Sequence, residues 1–218
     1  MSDESAMKIL SLEFSSTRRS VAVFDGEKVS ASRWTDEREE GPFSLIEEAL
    51  TEANCARGDI ECLAIGSGPG SYTGIRSAIA IAQGWQLAAG VKLCGVSSVH
   101  AIARQAKATG LSGGFAVLID AQRGEFYCAQ YDAGEETLRE LSPLRIVKPA
   151  TVDDLQAAGI SLIGPDPRVV GYGGSVVWPD AAAVAELAAA CLEFVAGEKL
   201  EPIYLREIAF VKAKPLKL

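Results

Sequence analysis

Residues 66–89 read GSGPGSYTGIRSAIAIAQGWQLAA, and this stretch decides the fold. The apolar run before it, Ile60–Ser67, has the length of a strand, and Ser71 is placed to cap a helix over Tyr72–Ala89. That helix carries small residues at every fourth position and a single charge, Arg76. A helix that is apolar on nearly all sides must be covered on more than one face. The pattern therefore predicts a sheet on one side of the helix and a partner surface on the other.

The glycines before this helix leave two interpretations open. No Lys-Ser or Lys-Thr closes the loop as in a Walker motif, and Gly74 comes one residue late for a dinucleotide fingerprint that begins at Gly68 and Gly70. A strand–glycine–helix junction still gathers free N–H groups at which a phosphate can bind. Arg76 in the first turns is mildly unfavourable for the helix and points to an acidic ligand or partner. The alternative is a tight crossover turn with Arg76 facing solvent.

Composition and charge narrow the class of protein. The chain has 218 residues, 48% of them hydrophobic, which is enough to bury a full core in one domain or in two small lobes. No apolar run is long enough to span a membrane, the first residues are polar, and the five cysteines are scattered. These features predict a cytoplasmic protein with reduced thiols and no membrane contact.

The net charge of −8 argues against direct binding of nucleic acid, which needs a basic face. Only the tail is weakly basic, with Arg206, Lys212, Lys214 and Lys217. If the protein serves RNA chemistry, a basic partner is expected to hold the RNA.

His100 is the only histidine of the chain. A metal site with two histidines is therefore excluded, and no cysteine cluster replaces one. A Ser–His–acid triad would have to use His100, but Ser98 before it is expected to cap the helix Val99–Lys107, and no G-x-S-x-G elbow is present. The sequence predicts no catalytic residue and no metal ligand.

An internal repeat indicates two lobes. Ile9–Glu27 and Ala116–Gly134 lie 107 positions apart and align Glu13 with Asp120. Each copy reads as a strand that ends in a carboxylate, then a polar turn, then a second strand. This predicts two lobes of related α/β topology, residues 1–110 and 111–218, with the boundary near Gly110–Gly114.

The remaining elements follow from periodicity and from helix start and stop signals. Helices are predicted at Phe43–Ala56, Pro149–Ala158 and Pro179–Val195. Strands are predicted at Lys92–Val96, Leu138–Val147 and Leu162–Ile163, with a glycine-rich loop at Arg168–Ser175 and an extended tail from Leu200.

The paired carboxylates Glu13 and Asp120 could orient a magnesium-bound phosphate in a two-lobed nucleotide-binding fold. That use needs small residues after the acid, whereas bulky Phe14 follows Glu13. We therefore favour structural roles for both acids. Together with Gly68 and Gly70 they are candidates for a vestigial phosphate cleft.

Five segments occur in an order that resembles a known family: KILSLEFSS, GSGPGSYTGIR, GVSSVHAIA, IDAQRGEFY and PIYLR. From Lys8 to about Arg206 the chain resembles the TsaB (YeaZ) family, the small bacterial branch of the glycoprotease-like (peptidase M22) group. The resemblance implies the two-lobed, duplicated fold of the actin, sugar-kinase and Hsp70 ATPases. The family usually has Asp-Thr-Ser-Thr where this chain has Glu-Phe-Ser-Ser at residues 13–16, which makes nucleotide binding in its own cleft less expected.

The resemblance also implies a function. Such proteins are non-catalytic subunits in the synthesis of threonylcarbamoyladenosine in tRNA; they bind the larger paralogue TsaD, the ATPase TsaE joins the complex, and tRNA is contacted only indirectly. No cofactor is implied, although a nucleotide at a subunit junction stays open. Helices of the first lobe are expected to form the contact with TsaD, or a homodimer when the protein is alone. The expected contact residues are Tyr72, Thr73, Arg76, Ala80, Gln83 and Gly84.

Two other functions compete with this one. A small ATPase or carbohydrate kinase of the same fold would use Glu13, Asp120 and the glycines, and would bind magnesium-nucleotide. A peptidase, which the older group name suggests, is disfavoured by the single histidine and by the missing nucleophile elbow.

Overall fold

Residues 7–37, 39–191 and 193–205 are described by the computed structural model, and they contain two five-stranded sheets. The first sheet has the order β3-β2-β1-β4-β5, in which β1 pairs antiparallel with β2 and parallel with β4. Its strands are β1 (Ile9–Glu13), β2 (Arg19–Phe24), β3 (Val29–Thr35), β4 (Cys62–Gly66) and β5 (Lys92–Val96).

The second sheet repeats this topology with the order β10-β9-β6-β7-β8. The central strand β6 pairs antiparallel with β7 and parallel with β9, as β1 does with β2 and β4. Its strands are β6 (Gly113–Asp120), β7 (Phe126–Ala133), β8 (Leu138–Val147), β9 (Ser161–Gly164) and β10 (Ser175–Val176). The predicted two-lobed, duplicated α/β fold is confirmed, and Glu13 and Asp120 end the equivalent strands β1 and β6.

Six helices cover the sheets within the described residues: α1 (Pro42–Glu52), α2 (Tyr72–Ala89), α3 (Ser98–Ala108), α4 (Pro149–Ala157), α5 (Arg168–Gly171) and α6 (Ala181–Cys191). The predicted helix Tyr72–Ala89 is confirmed at both ends. The hydroxyl of Ser71 accepts a hydrogen bond from the N–H of Gly74 (3.2 Å), and Gly90 ends the helix at φ 71°.

Several sequence predictions are wrong in detail. The segment Arg168–Ser175 is not a loop throughout, because it contains α5 and the first residue of β10. The predicted helix Pro179–Val195 starts later, at Ala181, because the carboxylate of Asp180 accepts the N–H of Ala182 (2.6 Å) and caps it.

Helix α6 also ends earlier than predicted, at Cys191. Val195 is not helical; its N–H donates to the carbonyl of Leu93 on the edge strand β5 (2.9 Å). Helix α1 ends four residues before the predicted Ala56, since Asn54 takes a left-handed φ of 48°. Strand β3 was not predicted.

Two helices, α3 and α6, each pack against the sheet of the other lobe. Helices α1 and α2 pack on one face of the first sheet, and α6, which follows the second lobe in the chain, packs on the other face through Val184 and Ala188. Helix α3, which precedes the second lobe, contributes Val99 and Ile102 to the core of the second sheet. Because the packing crosses residue 110, the division into residues 1–110 and 111–218 stays a prediction.

The central strand β1 is buried along its whole length, as a strand with helices on both faces must be. No helix among the described residues is long and apolar enough to cross a membrane. The weakly basic tail residues Arg206, Lys212, Lys214 and Lys217 lie outside the described residues. From Leu200 to Leu205 the tail forms no regular strand.

We expect Ser11→Ala to destabilise the fold by about 0.5–1.5 kcal/mol, because it removes a buried hydrogen bond between β1 and α6. The hydroxyl of Ser11, in the centre of β1, donates to the carbonyl of Ala181 at the start of α6 (2.6 Å). Urea unfolding would measure the loss, with Ser32→Ala on the exposed side of β3 as the control. Equal stability of the two variants would contradict the packing of α6 against the first sheet through this hydrogen bond.

Candidate partner interface and interlobe cleft

A buried carboxylate lies where three loops of the first lobe meet. Glu13, at the end of β1, is fully buried; one carboxylate oxygen accepts the N–H of Ser15 (2.7 Å) and the other accepts the hydroxyl of Ser98 (2.7 Å). Burial raises the pKa of Glu13; the hydrogen bonds from Ser15 and Ser98 lower it, and the negative charge of Asp180 raises it further. The carboxylate thus joins the β1–β2 turn to the start of α3.

Ser98 connects the glycine loop to the same point. Its hydroxyl oxygen accepts the N–H of Gly68 (3.1 Å), and its own N–H donates to the carbonyl of Gly68 (2.9 Å). The predicted cap at Ser98 is therefore wrong: Ser97 occupies the N-cap position of α3, and the side chain of Ser98 is buried against Glu13 instead.

The glycines of the loop allow a close approach of two backbones. Ser71 donates its N–H to the carbonyl of Ser15 (2.7 Å). A Cβ atom at Gly70 would collide with that carbonyl, and one at Gly74 would collide with the carbonyl of Phe14. The geometry agrees with the tight crossover turn rather than with a phosphate cradle, because the β1–β2 turn lies directly against the start of α2.

A cleft of about 680 Å³ opens between the lobes. Asp120 and Gly70 line it, whereas Glu13 and Gly68 lie below its surface, so the structure does not bring the two predicted acids together. Asp120 forms an ion pair with Arg168 (2.7 Å), which also contacts Asp166 (2.7 Å). The hydrogen bonds that Arg168 donates to Asp166 and, to a lesser extent, to Asp120 raise the pKa of its guanidinium. The carboxylate of Asp120 is thus engaged by a side chain of its own lobe.

The structure places the six predicted contact residues on exposed positions of α2. Ala80 and Gly84 line a groove of about 650 Å³ between α1 and α2. Apolar side chains form most of this groove, and Phe43, at its edge, is 62% exposed. Apart from the backbone of α2 itself and the two adjacent residues, no atom of the described residues lies within 4 Å of the position that a Cβ at Gly84 would occupy. Tyr72 lines the cleft and Thr73 a smaller hollow beside it.

The other two predicted contact residues bind the chain's own C-terminal segment. We call residues Val195–Leu205 the C-terminal strap. Gln83 donates its side-chain N–H to the carbonyl of Gly197 (2.7 Å), and Arg76 donates its Nε–H to the hydroxyl of Tyr204 (3.1 Å). The strap was not predicted, because no local pattern of the sequence shows that residues so far along the chain return to α2.

The exposure of Phe43 and the position of Trp85 in the groove were not predicted either. Helix α1 buries the apolar residues Leu45, Ile46, Ala49 and Leu50, and Phe43 does not belong to this buried stripe. A large aromatic residue outside the apolar stripe is the feature of the sequence from which an exposed contact surface could have been predicted.

His100 lies on the surface, where its ring contacts the carboxylate of Glu140 (3.1 Å). Among the residues that the structure describes, no three His, Cys, Asp or Glu side chains are placed to hold a metal ion.

Comparison with known proteins gives the family. A family model described as "TsaD: tRNA N6-adenosine threonylcarbamoyltransferase" matches residues 40–198. The tRNA threonylcarbamoyladenosine biosynthesis protein TsaB of Escherichia coli is 32% identical over 97% of this chain and 100% of its own length. The chain belongs to the TsaB family.

Other TsaB-family relatives agree. The TsaB protein of Haemophilus influenzae is 26% identical over 96% of this chain and 98% of its own. A crystal structure from Pseudomonas aeruginosa, of a protein with similarity to the peptidase YeaZ, superposes with a TM-score of 0.78 at 25% identity, covering 92% of this chain and 100% of that one. The resemblance to TsaB (YeaZ) is confirmed over nearly the whole chain.

In this TsaB-family chain we expect Glu13→Gln to change the pH dependence of stability. The pKa of Glu13 is raised above its ordinary value of 4.5, so its contribution to stability is complete below pH 4.5 and is lost as the pH rises through the folded-state pKa. Relative to Glu13→Gln, the unmodified protein should lose stability over that window, by at most about 1.4 kcal/mol per pH unit.

Urea unfolding at a series of pH values would measure this difference. Glu135→Gln, which removes the same charge from the exposed β7–β8 turn, is the control. Parallel curves for Glu13→Gln and the unmodified protein would contradict a raised pKa of Glu13 in the folded state.

Proposed function

We propose that this chain is the non-catalytic scaffold subunit of the complex that makes threonylcarbamoyladenosine in tRNA, and that it binds the TsaD catalytic subunit. The relatives named TsaB support the pathway, and the open groove between α1 and α2 supports the scaffold role. In this assignment the TsaE ATPase joins through the complex, and the protein works in the cytoplasm with its cysteines reduced.

The groove carries the proposal. It lies on the first lobe, it is mostly apolar, and small residues of α2 let another backbone approach. Ala80, Gly84 and Ala88 line one wall, with Ile81 and Trp85 beside them, while Phe43 of α1 stands at the edge. Helices of the partner fit such a surface as the second half of a four-helix contact.

The occupant that we propose is TsaD, with a second copy of this chain taking its place when TsaD is absent. The same face can serve both, since an isologous dimer uses one patch twice. The net charge of −8 favours a subunit that leaves tRNA to its partner.

We also propose that the chain has no resident cofactor, and that a nucleotide at a subunit junction would need the partner's residues. Bulky Phe14 follows the acid of the first turn and is 1% exposed, and Asp120 is paired with Arg168. A bulky side chain in the first turn hinders a close approach of phosphate to its backbone, and the ion pair engages the carboxylate that would orient a magnesium ion. They weigh against the alternative of an ATPase or carbohydrate kinase.

We expect Gly84→Leu to abolish binding to the TsaD of the same organism while the subunit stays folded. The new side chain projects into open space on this chain but blocks a close helix–helix approach. Light scattering would measure complex formation, with threonylcarbamoyl-tRNA assayed on the same samples in the presence of TsaE and the adenylate-forming enzyme. Gly171→Leu, at an equally open glycine on α5 of the second lobe, is the matched control and should bind normally.

Binding by Gly84→Leu equal to that of the control would place the interface elsewhere. If the unmodified chain does not bind TsaD, and the tRNA product forms in the absence of this chain, the scaffold role itself is refuted.

We expect magnesium-ATP and magnesium-ADP to leave the melting temperature of the isolated chain unchanged at millimolar concentration. A ligand present at one hundred times its Kd would stabilise the protein by about 2.7 kcal/mol, which a melting curve detects. A saturable rise that Asp120→Asn removes would favour the kinase or ATPase alternative.

A further inference from the structure

The long polar side chains of α2 all bind the same segment of the chain. The helix carries three of them, Arg76, Gln83 and Gln86, and each contacts the C-terminal strap. Gln83 binds the carbonyl of Gly197 (2.7 Å), and the side-chain oxygen of Gln86 accepts the N–H of the same residue (3.0 Å). Arg76 binds the hydroxyl of Tyr204 (3.1 Å). The strap therefore lies along α2 over nearly its whole length.

The body of the strap is held in place at further points. Val195 donates its N–H to Leu93 on β5 (2.9 Å), and Ile203 donates its N–H to the carbonyl of Ser67 (2.8 Å). Between them, Leu200 is 4% exposed and belongs to the core of the first lobe. The strap is thus part of the folded first lobe, and it brings Tyr204 to the start of α2 in a defined position.

At that point three side chains form an exposed stack. The rings of Tyr72 and Tyr204 are 6.1 Å apart at an angle of 27°, and the guanidinium of Arg76 lies 4.1 Å from the centroid of the Tyr72 ring. Tyr72 is 59% exposed and Tyr204 40%. Within the described part of the chain, no Asp or Glu forms an ion pair with Arg76. An exposed Tyr–Arg–Tyr cluster, whose charge has no acidic partner among the described residues, is typical of an interface hot spot.

The stack is continuous with the groove. Exposed positions of α2 recur at helical spacing in one stripe: Tyr72, Arg76, Ala80, Gln83 and Leu87. Leu87 is 91% exposed, and the stripe runs between the groove on one side and the strap on the other. A partner that fills the groove and covers this stripe therefore also meets Tyr204.

We propose that the C-terminal strap forms the second wall of the TsaD-binding surface, and that Arg76, held by Tyr204, binds a carboxylate of TsaD. This inference rests on the proposed function. The strap then has two roles: it satisfies the polar side chains of α2, and it adds Tyr204 to the contact. Tyr204 is a positioning residue for Arg76 as well as a contact residue.

The test is the affinity of the full chain for TsaD from the same organism, measured by titration calorimetry. Tyr204→Ala should weaken binding at least about tenfold, because it removes both the ring and the acceptor for Arg76. Tyr204→Phe keeps the ring and should weaken binding less. Leu141→Ala, at a residue of β8 that is 51% exposed, is the control and should not change the affinity.

The salt dependence of the affinity for TsaD distinguishes the contribution of the charge of Arg76 from that of its packing. Affinity of the unmodified chain should fall as salt rises, and Arg76→Gln should be both weaker and less sensitive to salt. Melting temperatures confirm that each variant is folded, and Tyr204→Phe retains the stack if Tyr204→Ala is unstable.

Two outcomes distinguish the failure of this inference from the failure of the proposed function. If Gly84→Leu loses binding while Tyr204→Ala binds within twofold of the unmodified chain, the strap lies outside the interface and the proposed function stands. If the unmodified chain does not bind TsaD, the proposed function and this inference fail together.

Discussion

The first lobe depends on one buried carboxylate. Glu13 ends the central strand, and its two oxygens hold the β1–β2 turn through Ser15 and the start of α3 through Ser98. Ser98 in turn binds both backbone groups of Gly68, so three loops that come from distant parts of the chain share one hydrogen-bonded centre. Burial of a charge is costly unless it is hydrogen-bonded, and these contacts give each oxygen of the carboxylate a donor.

This arrangement makes the glycine loop a support for a helix. Here the β1–β2 turn lies against the start of α2, with Gly70 and Gly74 allowing the contact. The glycine motif therefore positions α2, and the outer face of that helix, together with α1 and the C-terminal strap, becomes the surface that we assign to a partner.

Much of the fold could be predicted from local signals. Helix α2 was predicted at both ends because its cap, its apolar pattern and its terminal glycine all lie within the segment. Strand β3 was missed, since three consecutive exposed residues interrupt its apolar pattern, and the capping role of Ser98 was wrong because a distant carboxylate recruits its hydroxyl. The end of α6 was misplaced because Val195 pairs with Leu93, which lies far away in sequence. Each error arises where a long-range contact overrides a local preference.

The sequence by itself determined the family, the duplicated strand–turn–strand units and the identity of α2 as the helix with an unusual surface, because motif order and periodicity are properties of neighbouring residues. Only the tertiary structure decided that Glu13 and Asp120 do not share a site, that α3 and α6 exchange lobes, and that Arg76 and Gln83 bind the chain's own strap. Those facts depend on which distant segments meet in space, and the free energy that selects them comes from burial and hydrogen bonds between residues up to 170 positions apart.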